Sequence, residues 1–324
     1  MRVFITGGAG FIGSHLARAL IARGDEVWVL DDLSTGSMRN IDDLVPAPRF
    51  HYRIGCCTDA PLVRELVDQS DVTVHLAAAV GVRLIVERPV HTIETNVRGT
   101  EVVLDAASIK QKPVVVASTS EVYGKSTLIP FQEDADITLG PTTHSRWAYA
   151  CSKALDEWLA LAYYRERKVP VILCRFFNTV GPGQTGRYGM VLPNFAQQAL
   201  RGEPLTVYGT GEQSRCFGHV RDTVEAVLRL MEAPSAIGQI FNIGAAEEIT
   251  IRSLAERVRE EAASGSEIRL VPYSEAYAEG FEDMLRRVPD TTKLERTIGF
   301  RPSTPLATII RDVVAYERSR MASA

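Results

Sequence analysis

Arg2-Val3-Phe4-Ile5-Thr6-Gly7-Gly8-Ala9-Gly10-Phe11-Ile12-Gly13 sets the fold expected of this chain. An apolar run leads into three glycines spaced G-x-x-G-x-x-G, and a helical pattern follows. Each glycine has a physical reason. A tight turn needs positive φ, a pyrophosphate needs the backbone close, and helix must meet strand with no Cβ between them. The helix start at Phe11 and Ile12 adds N–H donors and a favourable dipole for phosphate. A second apolar run, Glu26 to Asp31, ends about twenty residues on in Asp31-Asp32, where a carboxylate accepts from a ribose 2′-hydroxyl and repels a 2′-phosphate. The cofactor expected on Gly7, Gly10, Phe11, Ile12, Gly13, Asp31 and Asp32 is therefore NAD rather than NADP.

Working outward, short apolar runs alternate with longer helical segments through the first half, the signature of βαβ units that build a parallel sheet covered on both faces. The pattern predicts strands at Arg2 to Thr6, Glu26 to Asp31, Phe50 to Arg53, Val72 to Leu76, Val114 to Ser118 and Val171 to Phe176. It predicts a long helix from near Trp147 to Arg165, with Leu155, Leu159 and Ala162 on one stripe. Gly181, Pro182, Gly183, Gly186 and Gly189 then crowd a short stretch that reads as a boundary or a ligand loop. A helical pattern resumes at Leu192, and a further strand is expected at Ile268 to Val271.

Composition narrows the function classes. The 324 residues are 45% hydrophobic and 23% charged, with a formal net charge of −4, and two closely packed domains are expected at this length. A mildly acidic chain has no global field for nucleic acid or an anionic membrane, so neither partner is expected. Five cysteines without the spacing of a zinc site or a disulfide framework predict reduced thiols, a cytoplasmic setting and no metal. No apolar run is long enough to span a bilayer, and the N-terminus lacks the pattern of a secretion signal.

Two motifs carry chemistry. Tyr149-Ala150-Cys151-Ser152-Lys153 sets a phenol and an ammonium four residues apart on one helix face, where the lysine lowers the tyrosine pKa and lets it exchange a proton near neutral pH. Ser118-Thr119-Ser120-Glu121-Val122-Tyr123-Gly124 follows an apolar strand, so its hydroxyls and carboxylate fall at the carboxyl edge of the sheet, where open α/β folds bind ligands. Phenol, lysine, hydroxyl and NAD together form the set that removes hydride from a carbinol while a base takes the proton.

These motifs resemble the extended short-chain dehydrogenase/reductase superfamily, and the likeness runs over nearly the whole chain. His75-Leu76-Ala77-Ala78, Thr95-Asn96-Val97-Arg98-Gly99-Thr100, Phe176-Phe177-Asn178 with Gly181-Pro182, and Pro204-Leu205-Thr206-Val207-Tyr208-Gly209 are similar to that superfamily as well. Ser118 to Gly124 and Arg146-Trp147-Ala148-Tyr149 resemble the UDP-glucuronate decarboxylases (UDP-xylose synthases). Tyr277 to Asp283 with Arg286-Arg287-Val288-Pro289-Asp290 is similar to UDP-apiose/xylose synthases and to the bacterial decarboxylase that modifies lipid A.

The resemblance implies an α/β fold, a Rossmann doubly wound parallel sheet with a smaller α/β C-terminal substrate domain. NAD would sit on residues 1–178 plus about 215–246, and a sugar nucleotide on 179–214 plus about 247–324. It implies a catalytic set of Thr119, Ser120, Glu121, Tyr149, Lys153 and Arg287, and further NAD contacts at Leu76, Ala77, Ala78, Asn96, Tyr149 and Lys153. Substrate contacts would come from Asn178, Arg187, Val191, Tyr208, Arg215 and Arg287.

The activity implied is loss of carbon dioxide from a UDP-sugar, UDP-glucuronate, after oxidation at C4, to give UDP-xylose or the UDP-4-keto-pentose. The alternatives are a 4-epimerase, a 4,6-dehydratase and, outside enzymes, an NAD-sensing Rossmann protein. A homodimer through helices near Val97 to Ala107 and Ala148 to Tyr164 is implied too. One departure stands out: the Gly-Asp pair that meets adenine in the family is Gly55-Cys56 here.

Overall fold

The computed structural model describes residues 1–81, 88–144, 146–186, 190–276 and 284–322. Arg187 and the Tyr277 to Asp283 stretch lie outside the described residues.

The first half is built as its alternation predicts. Strands β1 (Arg2–Thr6), β2 (Glu26–Asp31), β3 (Phe50–Ile54), β4 (Val72–His75), β5 (Val114–Thr119) and β6 (Val171–Phe176) alternate with helices α1 (Phe11–Arg23), α2 (Ala60–Gln69), α3 (Pro89–Ser108) and α4 (Arg146–Arg167). Further along come β7 (Asn178–Val180), α5 (Val191–Arg201), β8 (Leu205–Tyr208), β9 (Ser214–His219), α6 (Val220–Glu232) and β10 (Gln239–Ile243). The chain then runs through β11 (Glu248–Thr250), α7 (Ile251–Glu261), β12 (Ile268–Val271), β13 (Arg286–Arg287), α8 (Thr292–Ile298) and α9 (Leu306–Ala322).

Seven strands form one parallel sheet in the order β3-β2-β1-β4-β5-β6-β10. The chain winds outward from β1 to β3, then returns to start the other half at β4, so the winding reverses between β1 and β4. Loops on either side of such a reversal diverge and leave a crevice at the carboxyl edge. Leu16 and Leu20 of α1 with Val224 and Val227 of α6 cover one face, while Leu66 of α2, Val103 of α3 and Ala160 of α4 cover the other. A separate core of Leu192, Phe195, Leu254, Val258, Ile309 and Val313 holds the smaller part of the chain. There β9 pairs with β7, β11 and β13, and β8 pairs with β12.

The division differs from the expected one in two places. β9 lies in the small sheet although residues from about 215 were expected with the large one, because its edges are needed by β7, β11 and β13. Leu294 of α8 is buried in the large core, with Ile298 and Phe300 packed against it.

Helix α4 also corrects the apolar-stripe reading. Leu155 is 44% exposed and Trp158 61% exposed, while Lys153, Asp156 and Glu157 are buried. Ala150, Ala154 and Ala160 lie inward with them, so the inner face mixes small apolar residues with buried charges, and of the expected stripe Leu159 packs against the core while Leu155 does not. Glu157 accepts from Arg175 Nε at 2.9 Å and Nη2 at 2.7 Å, and from the Ser118 hydroxyl. Burial opposes the charged guanidinium, but the Glu157 carboxylate outweighs it and holds Arg175 above its ordinary pKa.

Arg175 reaches the Glu133 carbonyl at 3.0 Å and lies 4.7 Å from the centre of the Tyr123 ring. The Tyr123 hydroxyl, pushed up to about 12 by burial, donates to Asn242 Oδ1 at 2.7 Å. Asn242 donates in turn to the carbonyls of Phe131 at 2.8 Å and Asp290 at 3.1 Å. Removing one partner of such a buried ion pair strands the other's charge. Glu157→Ala is expected to cost about 3–5 kcal/mol in denaturant unfolding; a loss within experimental error would show that the pair is not a structural linchpin.

Candidate active site

The carboxyl edge of the sheet opens into a cleft of about 1280 Å³ that runs from the glycine turn to the small sheet. At one end, Gly7 has φ +71°, and a Cβ there would stand 2.8 Å from the Ala77 nitrogen. A Cβ on Gly13 would stand 2.3 Å from the Gly7 carbonyl oxygen. Turn, helix and the β4 loop therefore meet backbone to backbone. Gly10 caps α1 with no side-chain hydrogen bond, which leaves the first-turn N–H donors open to an anion. Phe11, Ile12 and Gly13 line the cleft there.

Asp31 and Asp32 also line this end. The Asp31 carboxylate accepts from Ala9 N–H at 2.9 Å and from Leu33 N–H at 2.8 Å. Burial raises its pKa, against the pull of those N–H groups and with help from the neighbouring Asp32 charge. One donor on each oxygen leaves acceptor capacity for a ribose hydroxyl. Gly55 and Cys57 face the cleft. Cys56, which stands where a carboxylate was looked for, accepts instead from the Thr58 hydroxyl at 3.1 Å. Turn, uncapped helix start and acidic acceptor together fit a dinucleotide.

In the middle of the cleft lie Leu76, Ala77 and Ala78 from the loop after β4, and Thr119, Ser120 and Glu121 from the end of β5. The Thr119 hydroxyl accepts from Glu121 N–H at 3.2 Å and starts a single 3-10 turn. Tyr149 and Lys153 join them from one face of α4. Lys153 Nζ lies 2.7 Å from Asp156 Oδ2, and both side chains are buried.

The far end is built by strand alternation. β13 lies parallel to β9 with Arg286 opposite Ser214 and Arg287 opposite Arg215. Arg286 points away and forks onto Glu248 with two contacts of 2.8 Å, so Arg287, one residue on, faces the other way. It lines the cleft together with Arg215. Arg287 Nη1 donates to Glu121 Oε1 at 3.2 Å, and both groups are largely buried. Asn178, Val191 and Tyr208 complete this end.

Nearly all of the expected site residues thus share one cleft. Asn96 does not line it. The residue is buried behind the β4 loop, accepting from Ala79 N–H at 2.8 Å and donating to the Ser152 hydroxyl at 3.2 Å. It braces the loop against α4 and touches no cleft surface, because its amide is already spent on backbone and serine. Sequence reasoning missed Asp156, which the i, i+3 spacing from Lys153 could have disclosed. It also missed Gln213, whose amide donates to the Tyr208 carbonyl at 2.9 Å, a contact with no local signal.

Residues 3–244 match the NAD dependent epimerase/dehydratase family, and the chain belongs to that family. It is 41% identical over 98% of its length to the UDP-N-acetyl-alpha-D-glucosaminuronate decarboxylase of Bacillus cytotoxicus, of which it covers 98%. It is 34% identical to UDP-glucuronic acid decarboxylase 1 of Xenopus tropicalis, over 99% of this chain and 73% of that one. Among solved structures, a dTDP-glucose 4,6-dehydratase from Streptomyces venezuelae with NAD bound superposes with a TM-score of 0.90 at 31% identity, over 100% of this chain and 98% of the other.

The tight fit at Gly13 has a direct test. Gly13→Ala is expected to raise the Kd for NAD tenfold or more in a calorimetric titration, since each factor of ten is only about 1.4 kcal/mol. Unchanged affinity would mean that the turn does not hold the cofactor.

Proposed function

We propose that the protein is an NAD-dependent UDP-hexuronate decarboxylase. The observation that carries this reading is the pairing of β13 with β9, which sets Arg215 and Arg287 side by side in the cleft, with Glu121 against Arg287, in the same cleft as Tyr149 and Lys153. Forked guanidiniums suit a substrate that bears both a diphosphate and a carboxylate. The decarboxylase names of the relatives at 41% and 34% identity support the same choice.

NAD would be held by Gly7, Gly10, Phe11, Ile12, Gly13, Asp31, Asp32, Leu76, Ala77 and Ala78, and it supplies a hydride acceptor and donor. Tyr149 takes the proton of the sugar 4-hydroxyl, with Lys153 as the cation that favours its phenolate. A ketone at C4 puts the C6 carboxylate β to a carbonyl. The C5–C6 bond then breaks, carbon dioxide leaves, and the electron pair passes into an enolate that the Thr119 hydroxyl stabilises. Ser120 and Glu121 handle the proton that C5 gains. Arg287 meets the carboxylate or the adjoining phosphate, Arg215 the diphosphate and Tyr208 the uracil, with Asn178 and Val191 along the sugar.

The large core would serve the cofactor and the small core the sugar nucleotide. All five cysteines are free thiols, which suits a cytoplasmic enzyme, and no helix among the described residues is long and apolar enough to cross a membrane. Val90 and Ile93 on α3 and Leu155 and Trp158 on α4 are exposed. They offer a second copy of the chain an apolar face, and Trp158→Glu is expected to yield monomers by sedimentation; a wild type that is already monomeric would refute the dimer.

The activity test uses purified protein with UDP-glucuronate and, separately, UDP-N-acetylglucosaminuronate, following the sugar by NMR and trapping carbon dioxide. Release of carbon dioxide with a UDP-pentose product from either is expected. A C4 epimer without carbon dioxide from both would overturn the reading in favour of epimerisation. Tyr149→Phe is expected to lower turnover at least a hundredfold while NAD stays bound; retained turnover would remove Tyr149 from the centre.

A further inference from the structure

The partner of Lys153 is a buried carboxylate that does not line the cleft. Asp156 is fully buried and sits against the Lys153 ammonium at 2.7 Å. Burial raises its pKa, while the Lys153 charge and the Thr100 hydroxyl both favour its ionised form. Oδ2 takes the Lys153 ammonium, and Oδ1 is buried with no hydrogen-bond partner among the described residues. The Thr100 oxygen lies 3.2 Å from His75 Nε2.

His75 is neutral, because burial and then the Lys153 charge push its pKa down to about 3. Its Nδ1 lies 2.7 Å from the Thr6 hydroxyl oxygen. Thr6 Oγ1 in turn accepts from Ala77 N–H at 3.2 Å. Thr6, His75 and Thr100 form one buried polar series across β1, β4 and α3.

We propose that Asp156 is a positioning residue for the Tyr149 and Lys153 pair, the buried counter-ion that fixes the Lys153 ammonium. Other charges near Lys153 are committed elsewhere: Glu157 to Arg175 and Glu121 to Arg287. An ammonium this deeply placed, once deprived of its carboxylate, loses its charge more readily than it stays ionised in an apolar surround. The Tyr149 phenol would then lose its cation and hold its proton to higher pH.

The inference rests on Tyr149 and Lys153 as the proton-handling pair, so the first readout avoids the sugar altogether. Tyrosine ionisation is titrated by ultraviolet difference absorbance in NAD-loaded protein, with each variant compared with its own Tyr149→Phe partner so that the difference reports Tyr149 alone. Asp156→Asn is expected to raise that midpoint by about one unit or more, and Asp156→Glu to bring it back toward wild type. A midpoint that stays in place or falls overturns the proposal.

Where Asp156→Asn does not fold, Asp156→Ser, which also removes the carboxylate, is expected to raise the midpoint in the same way; no shift overturns it equally. If decarboxylase turnover is present, the acidic limb of kcat in Asp156→Asn moves by the same amount, with KM within about twofold. A lower kcat with an unmoved pH profile would mark a merely structural role and overturn the proposal. Absence of any decarboxylase activity would sink the proposed function and leave the titration result standing.

Discussion

The bidentate contact between Arg175 and Glu157 is the constraint on which the site depends. It joins β6 to α4, takes in Ser118 at the end of β5, and through Tyr123 and Asn242 reaches the backbone at Phe131 and Asp290. Phe131 and the 288–290 segment are further stitched together by main-chain bonds at 2.8 and 2.9 Å. Thr119 and Ser120 follow Ser118, Lys153 lies one turn before Glu157, and Arg287 precedes Val288. Each is thus placed within a few residues of one buried polar network. A fully satisfied network has one low-energy arrangement, which suits a cleft whose parts come from distant stretches of sequence.

The same logic explains why α4 buries charge. It takes part in two buried ion pairs through successive residues, Lys153 with Asp156 and Arg175 with Glu157. Small apolar residues, Ala150, Ala154 and Ala160, share that inner face, while the larger Leu155 and Trp158 are left outside. A buried pair gains little net stability over an apolar core, so the arrangement is better understood as fixing geometry than as a source of folding energy.

Much of this was legible in the sequence. The glycine turn, the bounds of β1, β2 and β6, and the spacing of Tyr149 and Lys153 are local patterns set by sterics and helix pitch, and they were read correctly. What failed was non-local. The stripe expected on α4 holds at Leu159, which packs against the core, but not at Leu155, because the inner face is shared with Glu157, whose partners Arg175 and Ser118 lie on other strands. Asn96 was expected at the cofactor, but its amide is consumed by Ala79 and Ser152, a contact across more than fifty residues. β13 is only two residues long, too short for any period to show, yet its register decides that Arg287 and not Arg286 faces the cleft.

In the proposed reaction one cleft oxidises a sugar carbinol, lets carbon dioxide leave and keeps the hydride at hand. Substrate carrying deuterium at C4 follows that hydride through a single turnover. The deuterium is expected to end on C4 of the pentose product or on the NAD that remains with the protein, while C5 gains one proton from water. Deuterium washed into solvent, with or without loss of carbon dioxide, would contradict it.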